Sequence, residues 1–186
     1  MVNKKFIYII FAVMVLAQLF VPLQIIFHQE KILSEGKIVK FKMQPLDPND
    51  PFRGKYVNLS FQENRIWVKN TKNFQPGETI FAKFKIDNLG FIQITSICKT
   101  EPNQDLDYLK LKINYLGYDN KQEIFLDFPF NKFYMNENKA QKAEDIYRES
   151  NTHIQNNTYA IIAIKAGEAV IKDVMINGVS IKKLSE

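Results

Sequence analysis

The densest set of groups able to do chemistry lies between Pro45 and Phe61, in Pro-Leu-Asp-Pro-Asn-Asp-Pro-Phe-Arg-Gly-Lys-Tyr-Val-Asn-Leu-Ser-Phe. Asp47, Asn49 and Asp50 offer the hard oxygen donors that calcium takes. Lys55 and Ser60 nominally supply the base and nucleophile of an envelope hydrolase. The spacing speaks against both. Prolines at 45, 48 and 51 fix φ and remove backbone donors, which stiffens the loop where a calcium site must wrap round its ion. Lys55 and Ser60 stand five positions apart on one strand and so point to opposite faces. Residue types and spacing suit recognition better: a rigid loop that presents Asp47, Asp50, Phe52, Arg53, Gly54, Lys55 and Tyr56 as a charged and aromatic surface. Trp67 is also of an interface type, although Tyr56 and Trp67 lie on strand-patterned segments and serve equally well as core.

The rest of the inventory is thin. His28 stands at the end of an apolar run and His153 in a polar loop. With Cys98 as the single cysteine, these residues do not make up a zinc set. Seven glycines with no phosphate-binding pattern disfavour a nucleotide site, so no cofactor is expected. The formal charge of +5 does not call for nucleic acid. Lysines at alternate positions, such as Lys83 and Lys85 or Lys110 and Lys112, read as solvated strand faces, and binding of an anionic envelope polymer or lipid headgroup ranks behind protein contact. Cys98 reads as a buried strand position.

The elements that must position these residues divide at the front of the chain. Phe6 to Phe27 is uncharged, interrupted only by Gln18, Pro22 and Gln24, and as a helix it would run about 33 Å at ~1.5 Å per residue, enough to cross a bilayer. Lys4 and Lys5 precede it, as in both signal peptides and signal anchors, so the run's length decides between cleavage and retention. Residues 1–27 are therefore expected to be a retained transmembrane anchor, with cleavage after Ala17 as the alternative. Lys31, Lys37, Lys40 and Lys42 nearly balance the flanking charge. Because long domains translocate largely regardless of charge, the expected arrangement is a single pass in the plasma (inner) membrane with the C-terminal domain outside the cytoplasm.

A linker is expected over 28–36, then a mainly β (α+β) domain over 37–186, antiparallel and with one short amphipathic helix. Period-2 alternation marks strands at 38–43, 56–61, 65–68, 79–86, 91–98, 108–115, 123–128, 159–165 and 169–176. Hairpins are expected across Asp87–Gly90, Gly117–Asn120 and Ala166–Glu168. Lys139 to Glu149 places Ala140, Ala143, Ile146 and Tyr147 on one helical face, capped by Asn138. A shift of roughly seventy-eight residues lays Lys55-Tyr56-Val57 over Phe133-Tyr134-Met135 and the third hairpin over the first. This echo would divide the domain into similar halves, 37–100 and 105–186; the alternative is one antiparallel sandwich without symmetry.

Gly54-Lys-Tyr-Val-Asn-Leu-Ser-Phe61, preceded by Leu46-Asp-Pro-Asn-Asp-Pro-Phe-Arg53, resembles the defining motif of the GDYXXLXY protein family. Asn131-Lys-Phe-Tyr-Met-Asn-Glu137 resembles a later segment of that family that stands before a helix, and 160–178 resembles its closing hairpin. Lys55 replaces the acidic signature residue and Phe61 the final tyrosine. A role needing a carboxylate at 55 therefore does not carry over, whereas the aromatic ring at 61 is kept. The resemblance implies a membrane-anchored bacterial protein without an assigned reaction. It also implies an integral membrane protein as partner, because the family often occurs beside or fused to a multi-spanning protein, and it adds Tyr134 to the candidate binding residues. The expectation is a non-enzymatic interaction module; the alternatives are a hydrolase or calcium-dependent module using Asp47, Asp50 and Lys55, or a binder of anionic polymer.

Overall fold

The computed structural model describes residues 4–44, 56–103, 107–117, 122–136 and 157–186, together with 139, 142–143, 145–147 and 150. Helix α1, Lys4–Glu35, carries the apolar run with its side chains exposed, and is the one described helix long and apolar enough to cross a membrane. Among the described residues eleven strands follow: β1 (Lys37–Lys42), β2 (Tyr56–Asn58), β3 (Arg65–Trp67), β4 (Thr79–Ile86), β5 (Ile92–Cys98), β6 (Tyr108–Leu116), β7 (Glu123–Asp127), β8 (Lys132–Tyr134), β9 (Thr158–Lys165), β10 (Glu168–Ile176) and β11 (Val179–Ser180). A helical turn, Ile181–Leu184, ends the chain, with Ser180 accepting from the Lys182 amide at 3.3 Å. The fold is β-rich and antiparallel, as the alternation implies.

The first difference from the sequence reading is the linker. Residues 28–35 continue α1 without a break, because Gln29, Glu30, Lys31, Ile32 and Leu33 are all compatible with helix; the stop is Gly36, one residue before β1. Ile32 is buried, His28 bonds Glu168, and Lys165 bonds Glu35, so a hydrogen bond, an ion pair and an apolar side chain fasten the helix to the β9–β10 hairpin. Gly36 makes the close approach feasible. A Cβ there would lie 2.3 Å from the Ile32 carbonyl oxygen and 3.1 Å from the Ile164 amide.

The strands form a four-stranded sheet, β1-β9-β10-β11, a five-stranded sheet, β3-β7-β6-β4-β5, and the pair β2-β8. In β1, Val39 and Phe41 are fully buried while Lys40 and Lys42 point outward, and in β6 Leu109, Leu111 and Ile113 are buried between exposed lysines. The buried sides share one core. Its centre is a cluster of four rings, Phe41, Phe61, Phe128 and Phe130, every pair 5.3–5.8 Å apart in edge or tilted geometry.

The sequence halves interleave. β1 from the first half pairs with the β9–β10 hairpin of the second, and β6 from the second pairs with the β4–β5 hairpin of the first; each hairpin carries one register shift. Two parallel bridges join the sheets in matching places, Lys40 to Phe91 and Leu109 to Gly167, and β2 meets β8 at Val57 and Phe133.

Near the second bridge the Tyr108 hydroxyl donates to the Glu101 carboxylate at 2.7 Å, and its ring lies where a Cβ on Gly167 would stand. The bond to Glu101, then burial, then the Glu101 charge raise the phenol above its usual 10.0. A raised value in the folded state means that this contribution is intact below about pH 10 and disappears as pH rises through the folded value. The alkaline loss of stability, read as unfolding midpoints at pH 9 and 11, is therefore expected to be smaller in Tyr108→Phe than in wild type.

Other expectations meet the structure as follows. Ala143 and Tyr147 are buried and helical, and Ile146 packs partly against the core; Asn138 and Ala140 lie outside the described residues. Cys98 is half-buried, its Sγ 3.5 Å from the Phe81 carbonyl oxygen, because the end of β5 runs beyond full cover. Trp67 is not core. It sits on the edge strand β3 with 65% of its surface exposed.

Candidate functional site

Of the expected site residues, Asp47, Asp50, Phe52, Arg53, Gly54 and Lys55 lie outside the described residues, as do Asn49 and His153. Tyr56 and Tyr134 are described, and the fold brings them together. They are partners in the β2–β8 ladder, their rings 5.5 Å apart and tilted by 58°, with the Lys132 ammonium 4.6 Å from the Tyr56 ring centre. After Tyr56 the alternation turns inward. Val57, Leu59 and Phe61 are all buried, Leu59 N–H donates to the Asn131 carbonyl at 2.8 Å, and Phe61 joins the ring cluster. The segment therefore serves as core through Leu59 and Phe61 while offering the half-buried Tyr56 to the surface pair.

Tyr134, 67% exposed, and Lys132 line an open cavity of about 840 Å³ to which β6, β8, β10 and the end of α1 contribute. That volume is within the range of about 300–1,000 Å³ usual for ligand sites. Two chemistries meet in its lining. Its apolar lining includes half-buried Leu33 from α1 and Ala169, Val170 and Ile171 from successive positions of β10, and its charged lining consists of five lysines, Lys110, Lys112, Lys132, Lys172 and Lys182, and two carboxylates, Asp127 and Glu168. Glu168 is engaged by His28. Lys182 sits over the Phe133 ring at 5.3 Å, whereas Lys110, Lys112 and Lys172 make no salt bridge among the described residues.

Reading Lys110 and Lys112 as merely solvated misses this arrangement. They do lie on the exposed face of β6, but β10 and α1 stand beside that face, and nothing in a local window of β6 signals elements so distant in sequence. No group of three or more metal-ligating side chains occurs among the described residues. The cavity brings cationic donors, aromatic faces and apolar residues together in one lining.

Comparison with known proteins adds the family. Neither the curated proteins nor the solved structures include a significant match. The model of the GDYXXLXY protein family matches residues 18–174, which takes in the later part of α1, the segment ending at Phe61, the ring cluster, β8 and nearly all of β10. The chain belongs to the GDYXXLXY protein family.

Proposed function

We propose that this protein is a membrane-anchored binding module, without catalysis of its own, that works outside the cytoplasm and associates with an integral membrane protein in the same membrane. The observation that carries the reading is the unbroken α1. One helix contains the apolar run and is fastened to the β9–β10 hairpin by Ile32 and by the His28–Glu168 and Lys165–Glu35 pairs. A domain held this way has a set height and orientation over the bilayer, which suits presenting one face to a neighbour in that bilayer. The paired Tyr56 and Tyr134, with Phe52 and Arg53 shortly before Tyr56 in the sequence, supply residue types favoured at interface centres. Translocation of the domain accords with its length.

The test is in vivo cross-linking followed by recovery from solubilised membranes, with wild type, Tyr56→Ala and Arg53→Ala. A membrane-integral partner recovered with wild type should fall by tenfold or more in each variant, since hot-spot truncation costs about 2 kcal/mol or more. If folded variants recover the same partner at the same yield, the interface reading fails. Protease applied to spheroplasts reads the side: the domain should be digested from outside, and full protection would place it in the cytoplasm.

A further inference from the structure

We propose that the lysine-rimmed cavity holds one anionic phospholipid, drawn from the leaflet at the C-terminal end of α1. Its phosphate would lie among Lys110, Lys112 and Lys172, and its chains would run past the apolar part of the lining beside Leu33. This rests on the anchoring part of the reading above.

Position comes first. Gln29 and Leu33 line the cavity and follow Phe27 by two and six residues, so on a continuous helix they stand about 3 and 9 Å beyond the apolar run. Each headgroup layer is about 5–7 Å thick, so the cavity opens at the depth where lipid phosphates lie. Charge comes second. Five lysines and two carboxylates line the cavity, one carboxylate is held by His28, and none of the five lysines has an anionic partner among the described residues; Lys132 and Lys182 lie over the Tyr56 and Phe133 rings instead. Third is the mixed lining. A small water-soluble anion has no use for the apolar part of the lining, which includes Leu33 and the β10 residues 169–171, whereas a glycerophospholipid places acyl chains within reach of its phosphate and uses apolar and cationic lining together. The chains leave along α1, whose own apolar residues point into the same bilayer. The occupied cavity would also bring lipid against Tyr134 and, through it, Tyr56, joining the lipid site to the proposed protein interface.

The experiment uses the full chain purified in a neutral detergent and native mass spectrometry. Phosphatidylglycerol, phosphatidylcholine or glycerol 3-phosphate is added, to wild type and to the double variant Lys110→Gln/Lys172→Gln. Both lysines are surface residues, and circular dichroism checks that the variant is folded. Wild type should retain one phosphatidylglycerol in preference to phosphatidylcholine, and the double variant should bind it about 25-fold more weakly, taking about fivefold per lysine. Glycerol 3-phosphate should not displace the lipid. Equal retention of the two lipids, unchanged binding by the folded variant, or displacement by glycerol 3-phosphate would each overturn the proposal; the last would make the site one for a soluble anion. Alkaline extraction of membranes reads the anchor separately. A chain released there removes the anchor and the leaflet as the source of lipid, whereas a chain that stays but shows no lipid preference sinks this inference alone.

Discussion

Phe41→Ala should destabilise the domain by about 3–5 kcal/mol, the range for removing a buried aromatic side chain. Phe41 has no exposed surface and stands within 5.3–5.8 Å of Phe61, Phe128 and Phe130, so its loss removes three of the six ring contacts in the cluster. Those three rings come from different places, the segment after β2 and the stretch between β7 and β8, while Phe41 lies on β1. Collapse of any one strand therefore cannot refill the space, and the cost falls at the upper end of the range. Because whole domains are stable by only about 5–15 kcal/mol, such a loss consumes much of the total. The check is urea unfolding of the detergent-solubilised chain: the midpoint should fall steeply with the slope kept, and a shift under about 1 kcal/mol would show that the cluster is not the centre of the core.

Gly36→Ala should act at a different place and in a different way. The added Cβ would lie 2.3 Å from the Ile32 carbonyl oxygen, 3.1 Å from the Ile164 amide and 3.2 Å from the Ala163 Cβ. The closest of these atoms belongs to the last turn of α1 itself and the other two to β9, so the helix end must distort and shift against β9, at about 1–3 kcal/mol for an overpacked site. The β sheets do not depend on that seam and should stay folded. The expected result is protease cleavage between His28 and Gly36 in the variant with an intact fragment beyond it, where wild type resists cutting. Equal resistance would mean that helix and hairpin are not packed together as described.

These two positions also show what the sequence discloses and what it hides. β4, β6, β9 and β10 are legible because eight or nine residues of alternation leave little room for another reading, and the Asp87–Gly90 turn is legible because Asp87 caps it, accepting from Leu89 and Phe91 N–H at 2.9 and 2.8 Å. β8 and β11 are not, since three and two residues carry no period. The supposed linker misleads for a definite reason: once the apolar run ends at Phe27, polar residues look like a boundary, although helix continues until Gly36 stops it. Burial within the Tyr56–Phe61 segment follows from its alternation, and the echo that lays Tyr56 over Tyr134 marks two residues that the fold pairs directly. The lysine cavity could not be read, because Lys110, Lys132, Lys172 and Lys182 belong to four separate elements that only tertiary packing assembles.

The proposed interface and lipid site both require the domain to be carried rigidly by α1, which would keep the cavity at headgroup depth. In a Cys98→Ala background, spin labels at Gln24→Cys, on the exposed surface of α1, and Lys85→Cys, on β4, report that geometry directly as a distance distribution in lipid nanodiscs. The account predicts one narrow distance, broadened by Gly36→Ala. A broad distribution in the otherwise unaltered chain would contradict it, since a domain swinging on a flexible tether could hold neither the interface nor the cavity at the membrane surface.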